Sequence, residues 1–468
     1  MVRGVKNITK TPKFVRTEEA PLLPPPATEA GLTGWLWHNV FESMADFKSP
    51  VAALRSLFMI GFSLLLVYVF TTQIYGLLDF ALFSAVFSDP DGLKRQACWT
   101  EQQGGALPDG WHAACWPFVV AKQKFALFGP FPNEELWRVY LALASGALGL
   151  AWVLIERLPY RRHVGALMLT VYPLATFILL TGGNIEIAMM QVAIWFVFGL
   201  AVISVGRLAG AGHLGTLMGE FTGSLAGAGW LIVAFSTVAL IAAFDFNLEP
   251  VDTGDWGGLL ITLVVAVTGI VASLPLGVVL ALGRRSQMPV VSVLCTIFIE
   301  FWRGVPLITV LFMASVMLPL FLPAGVNFDN LLRALIGVML FSAAYMAEVV
   351  RGGLQAIDKG QYEGADAVGL SYWQKMRLII LPQALTHVIP GIVNTFIGLF
   401  KDTTLVSIVG IFDLLGAGQS AIADAAWSTP VQAITMYLYV GIIFFVFCFG
   451  MSRYSIYMEN KLSKSRRH

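Results

Sequence analysis

Uncharged apolar runs recur along the chain at residues 57–78, 139–155, 164–183, 188–206, 222–244, 257–283, 304–324, 334–347, 378–400 and 431–451. Most approach the ~20 apolar residues that an α-helix needs to cross a bilayer core. The pattern predicts an all-α polytopic membrane protein with about ten transmembrane helices. The run at 334 is short before Glu348, so its helix is expected to continue past that residue. Composition agrees: 57% of the 468 residues are hydrophobic and 13% charged, against roughly 25% charged in soluble domains. Residues 1–50 differ, being polar, basic and rich in proline (Pro21, Pro24, Pro25, Pro26). They lack the apolar core of a signal peptide and read as a disordered cytoplasmic tail. Trp35, Trp37, Phe41 and Phe47 make its end either an interfacial segment or a plain linker.

Net charge is +1 and uninformative, but the distribution of charge orients the runs. Arg157, Arg161 and Arg162, then Arg207, then Arg284 and Arg285, then Arg351, Lys359, Lys375 and Arg377, and finally Lys461, Lys464, Arg466 and Arg467 mark successive inner segments. The loop 80–136, the turn from Gly182 to Glu186 and the loop 245–256 fall outside; the last has Asp245, Glu249, Asp252 and Asp255 and no basic residue. Arg138 and Arg333 fall on the outer side without outweighing the pattern. Both termini are therefore expected in the cytoplasm. The acidic loop suggests a division into 1–50, an accessory membrane region 51–250 carrying the loop 80–136, and a second region 251–460. No repeat relates the halves, so an inverted-repeat architecture is not supported. Cys98 and Cys115 share the polar loop 80–136, where an extracytoplasmic location permits a disulfide; Cys295 and Cys448 lie in apolar stretches.

One polar stretch interrupts the apolar half. Asp358-Lys359-Gly360-Gln361-Tyr362-Glu363 leads into Gly364-Ala365-Asp366-Ala367-Val368-Gly369, and Ile379-Ile380-Leu381-Pro382 follows. Residues from about Gln361 to Val368 can form two helical turns, and Gly369 can end them in a left-handed conformation. Ser371 and Gln374 have capping-box spacing, so a second helix should start there. The product is a rigid knob of two short helices joined by a glycine elbow, with small Ala365 suited to close approach and Glu363 favoured at a helix start. The stretch 356–382 resembles the "EAA" coupling loop of ABC importer permeases, in which Glu363, Gly364, Ala365, Gly369, Leu381 and Pro382 would engage a separate ATPase. The family usually has alanine where this chain has Gly364.

Residues 255–455 around this loop resemble the permease domain of polar amino-acid ABC importers. The matching stretches are Glu300-Phe301-Trp302-Arg303-Gly304-Val305-Pro306-Leu307, Tyr345-Met346-Ala347-Glu348-Val349-Val350-Arg351-Gly352-Gly353 and Phe400-Lys401-Asp402-Thr403-Thr404-Leu405. The N-terminal half, with Cys115-Trp116-Pro117-Phe118, is similar to the long permease subunit of glutamate/glutamine/aspartate/asparagine-type importers. The resemblance implies a five-helix type I importer core in the bacterial inner membrane. It implies as partners two ATPase subunits that bind ATP and Mg, a second related permease completing a heterodimer, and a periplasmic substrate-binding protein. This chain would bind no cofactor itself.

Ionisable residues at membrane depth are functional candidates. Glu300 and Arg303 share a helix face if their segment is helical, and Gly304 and Pro306 should break it. The pair offers an acceptor for an ammonium and a donor for a carboxylate; it could equally be a structural ion pair. Glu348 and Arg351 repeat the spacing closer to the inner face, as a brace or gate. Asn394 could contact substrate or a neighbouring helix, and Lys401 and Asp402 could gate or anchor the outer end of their span. Gly210-Ala211-Gly212-His213-Leu214-Gly215 matches G-x-G-x-x-G, but a membrane span precedes it instead of a strand. No Walker A lysine, metal-ligand set or nucleophile constellation occurs, and nothing points to nucleic acid. The alternative to an ATP-driven importer is an ion-coupled secondary transporter, which usually places carboxylates at mid-bilayer.

Overall fold

The computed structural model describes residues 50–89, 92–105, 107–183, 189–211, 213–321, 328–427, 429 and 431–465. The tail 1–49, most of the Gly182–Glu186 turn and Gly212 of the glycine motif lie outside them. The chain divides into two compact units, 1–85 and 86–468. Among the described residues the first contains α1 (Pro50–Leu78), continued by the π-helical turn Asp79–Phe83. Phe58 stacks on Phe62, and Thr71 and Thr72 return their hydroxyls to carbonyls one turn back, which satisfies those two hydroxyls within the helix.

The second unit contains α2 (Trp116–Phe128), α3 (Leu136–Leu154), α4 (Arg161–Thr181), α5 (Met189–Ala211), α6 (His213–Ala242), α7 (Gly258–Arg284) and α8 (Pro289–Gly304). It continues with α9 (Leu307–Phe321), α10 (Asn330–Gln355), α11 (Lys359–Ala367), α12 (Tyr372–Lys375), α13 (Leu381–His387), α14 (Ile389–Asp402), α15 (Leu414–Ile422) and α16 (Gln432–Ser465). No strand occurs among the described residues, and the fold is that of an all-α polytopic membrane protein.

Among these residues seven helices are long and apolar enough to cross a membrane, and α8 with α9, bent by 105° at their break, form either a broken eighth span or a re-entrant loop. The helices α5 and α6 carry shorter apolar stretches, Val192–Arg207 and Gly227–Ile241. Each of the ten apolar runs thus has a helix, with two corrections. The run at 304 is not a simple span. Pro306, in extended conformation, cannot continue α8, and the chain turns sharply before α9 begins. The run at 378 is broken too. A π-helical turn, Met376–Ile380, leads into α13, Val388 interrupts, and the span proper starts at Ile389.

Two ends of the second unit are marked by its contacts. At the end with the 245–256 loop, Val251 donates to the Thr181 carbonyl, Thr253 bonds Asp329, Asn330 donates to the Val409 carbonyl and Gly258 donates to the Phe412 carbonyl. At the end with Arg284 and Arg285, Lys461 of α16 pairs with Glu156. We call these the acidic and the basic end.

The most buried span is α10, which packs against α7, α8, α9 and α13. Two of the apolar clusters lie along it, one around Leu260, Val310, Ala334 and Leu399 and one around Ile299, Met346, Val350 and Ile380. A third joins Cys98, Cys115, Phe118 and Val119 to Leu414, Ala421, Trp427 and Met436. Helix α2 and the loop before it therefore pack on the C-terminal helices. Gly129 (φ +68°) lets this segment touch α7 closely: a Cβ there would lie 2.6 Å from the Gly257 Cα.

Candidate functional site

The knob at 358–382 is built from local rules. Asp358 caps α11 by accepting from the Gly360 amide. At the other end the Gly369 amide donates to the Asp366 carbonyl and the Leu370 amide to the Ala365 carbonyl, a Schellman closure. Gly369 takes φ +76°. Ser371 and Gln374 form the capping box that starts α12, and Lys375 pairs with Asp366 across the elbow. The knob is tied to the bundle. The Tyr362 hydroxyl donates to the Leu354 carbonyl at 3.2 Å, Arg285 stacks over the Tyr362 ring, and Gln383 donates to Gln361 at 3.1 Å.

Of the knob residues singled out in the sequence, Glu363, Gly364, Gly369 and Pro382 are exposed, and Leu381 is half-buried. Ala365 is different: it is 2% exposed and faces into the chain. Its small size serves packing within the knob and offers nothing to an external groove. The outward apolar surface comes from Val368, Tyr372, Trp373 and Leu378. Sequence reading missed these; apolar residues beside the elbow of a polar loop were the available signal.

The charged residues near the basic end form one cluster. Arg284, at the end of α7, donates to Glu348 Oε1 at 2.5 Å and pairs with Glu300 at 2.9 Å. Arg351 holds Glu348 Oε2 at 2.6 Å and 3.0 Å. Arg303 approaches Glu348 only to 3.9 Å and lies over the Tyr345 ring at 5.8 Å. The two three-residue pairs expected from spacing are thus partly exchanged. Glu348–Arg351 forms within α10, while Glu300 and Arg303 turn away from each other toward Arg284 and Glu348. Arg284 ties three helices together, yet in sequence it served only as a topology marker. Three arginines face two glutamates, leaving one positive charge in excess. Asn394 is exposed and carries no hydrogen bond into the cluster among the described residues.

At the acidic end Cys98 and Cys115 are joined in a disulfide, with Cα atoms 6.0 Å apart. Lys122 pairs with Asp424 and holds its carboxyl below the usual range. Asp413 is fully buried and caps α15, accepting from the Leu415 and Gly416 amides. Burial outweighs those bonds and pushes its carboxyl up to about 6. Arg138, the apparent exception to the charge pattern, is buried: it pairs with Glu135 at 2.7 Å and donates to the Glu249 carbonyl. Arg333 likewise donates to the Ser315 carbonyl. Neither is a free inner-side marker. Lys401 is exposed and Asp402 half-buried at the end of α14, where Phe400 packs on Phe444 and Phe447.

Residues 273–457 match the family described as "Binding-protein-dependent transport system inner membrane component". The chain is 42% identical over 457 residues to the glutamate/glutamine/aspartate/asparagine transport system permease protein BztC of Rhodobacter capsulatus, covering 97% of this chain and 99% of that protein. It is 43% identical to the inner membrane amino-acid ABC transporter permease protein YhdY of Escherichia coli, over 75% of this chain and 79% of that one. A shorter relative, the glutamate/aspartate import permease protein GltK of Escherichia coli, is 32% identical over 44% of this chain and 91% of its own length.

Proposed function

This chain belongs to the amino-acid ABC transporter permeases, and on that premise we propose that it is one transmembrane half of an ATP-driven importer for polar L-amino acids. The observation that carries the coupling part is the knob: two capped short helices, a glycine elbow and an apolar outward face, pinned to α7 and α10 through Tyr362. A surface fixed this way transmits displacement to the bundle, where a loose loop would absorb it. ATPase subunits binding ATP and Mg dock on the knob, a second related permease completes the pathway, and a binding protein delivers the amino acid at the acidic end. The basic end then faces the cytoplasm, with both termini on that side of the inner membrane. Closure of the ATPases biases a two-state transition of the pathway. In this reading the chain performs no chemistry of its own. The Glu348 cluster braces the inner ends of α7, α8 and α10, and Lys401 and Asp402 sit where the outer end of the path is gated.

The test is ATP hydrolysis by the purified complex in lipid, with and without binding protein and amino acid. Stimulation requiring both supports the reading. A chain that purifies without an ATPase, with uptake following an ion gradient, would overturn it in favour of a secondary transporter.

A further inference from the structure

We propose that Arg303 is a carboxylate-receiving group at the bend between α8 and α9 and takes the carboxylate of a passing amino acid. The inference rests on the reading of the chain as an amino-acid permease and names one residue of the path. Glu348 is already satisfied. Its Oε1 accepts from Arg284 at 2.5 Å and its Oε2 from Arg351 at 2.6 Å. Arg303 reaches it at 3.9 Å, beyond hydrogen-bond range, and otherwise touches only the Tyr345 ring among the described residues. Glu300, one turn earlier on α8, is committed to Arg284. The excess positive charge of the cluster therefore resides on Arg303, whose fork of donors is unfilled.

The setting favours an anion. The Arg303 side chain is 36% exposed. Glu348 lies seven residues before the end of α10, about two helical turns, where it meets Arg284 at the end of α7 and Arg303 at the end of α8. A guanidinium binds a carboxylate through two parallel hydrogen bonds, a geometry the 3.9 Å contact with Glu348 lacks. The Tyr345 ring beneath Arg303 gives the site an apolar face, and Phe341, one turn along α10, packs against that ring at 4.8 Å. Every amino acid carries an α-carboxylate, so the site takes that group irrespective of side chain.

The experiment measures calorimetric binding of L-glutamine, L-glutamate and L-glutaminol (an alcohol in place of the α-carboxyl) to the purified transporter complex without binding protein. In the wild type both amino acids bind and glutaminol does not. Arg303→Gln weakens amino-acid binding by roughly tenfold to a hundredfold, the range expected for losing a charge-assisted contact to the carboxylate, and removes the preference over glutaminol. Arg303→Lys keeps the charge and part of the preference, and stands in if the glutamine variant does not assemble. Tighter binding of glutamate than glutamine, lost in Arg303→Gln, would assign Arg303 to the side-chain carboxylate and overturn the α-carboxylate assignment. A variant that still prefers amino acids over glutaminol, or a wild type without that preference, overturns the proposal. ATP-driven uptake by the wild-type complex with binding protein is measured in parallel. Its absence would sink the permease reading, whereas normal uptake with an unchanged preference would sink only the role of Arg303.

Discussion

Replacing Glu348 with glutamine should destabilise the bundle through the arginines it leaves behind. Glu348 is 16% exposed and accepts from Arg284 and Arg351, with Arg303 nearby. Removing its charge leaves three guanidinium groups with Glu300 as their only counterion in the cluster. Breaking one partner of a fully buried pair costs about 3–5 kcal/mol, whereas an exposed pair contributes at most ~1 kcal/mol. The arginines are 24–36% exposed, so the cost falls between, at about 2 kcal/mol. Thermal inactivation of the detergent-purified complex should show a midpoint lower by several degrees. A double-mutant cycle separates stranded charge from simple loss of contacts. If the harm comes from stranded positive charge, Arg284→Gln in the Glu348→Gln background should restore part of the loss, with a coupling of about 1 kcal/mol or more. Strictly additive shifts for the two substitutions would show that the cluster is not an energetic unit and refute the argument.

Other outcomes follow from the geometry. Gly353→Val would place a Cβ 2.5 Å from the Ala384 carbonyl oxygen; it should force α13 off α10, lower the thermal midpoint by the equivalent of about 1–3 kcal/mol and reduce stimulated ATP hydrolysis. Gly369→Ala meets no atom within 4 Å but must hold φ +76°, so it should cost roughly 1–2 kcal/mol of knob stability and weaken ATPase stimulation, with Gly369→Asn milder. Replacing Cys98 and Cys115 with serine opens a loop of sequence separation 17; a loss near 3 kcal/mol is expected, read as faster proteolysis between 99 and 114. Asp413 is protonated more readily when folded, at about 6 against 3.8. Its contribution is therefore greatest below pH 4 and is lost as pH rises through 6, on the order of 3 kcal/mol, and Asp413→Asn should flatten the thermal midpoint between pH 4 and 7.

The apolar runs located the helices because lipid demands length and uniform hydrophobicity, two properties legible in any window of sequence. The knob was legible for another reason. Its caps and elbow are local, and the Ser371–Gln374 box and the Gly369 stop each lie within a few residues of what they close. The ion cluster was not legible as a unit. Spacing pairs residues on one helix, but Arg284 reaches Glu348 across 64 residues of chain, and only the packing of α7 on α10 creates that contact. The bend at Gly304 was readable as a break, though its direction was not: Pro306 forbids a straight continuation without choosing where α9 goes. Ala365 turned inward because α11 buries one side, a choice that a nine-residue polar helix does not declare in its sequence.

The N-terminal helices divide by how they are held. At the acidic end α2 is clamped to the C-terminal helices by the Phe118–Trp427 cluster, the Lys122–Asp424 pair and the Gly129–Gly257 contact, while Arg138 fastens α3 to the 245–256 loop. At the basic end Glu156, in the turn between α3 and α4, pairs with Lys461 of α16. A hairpin held at one end by the loop that leads into α7 and at the other by α16 is coupled to both helices, so α3 and α4 move with α7 and α16 or resist them. The pair α5 and α6 is different. These helices approach each other closely, Gly199 against Val233 and Gly229 against Ile203, and pack mainly on one another. They join the matched region through the segment 243–257 that leads into α7 and through a small contact of α6 with α4. If the knob drives the transition as proposed, it is felt along the α3–α4 hairpin before it is felt at α5–α6, and substitutions at Arg138 or Glu156 should lower uptake by the purified complex where equally conservative ones on the outer faces of α5 and α6 do not.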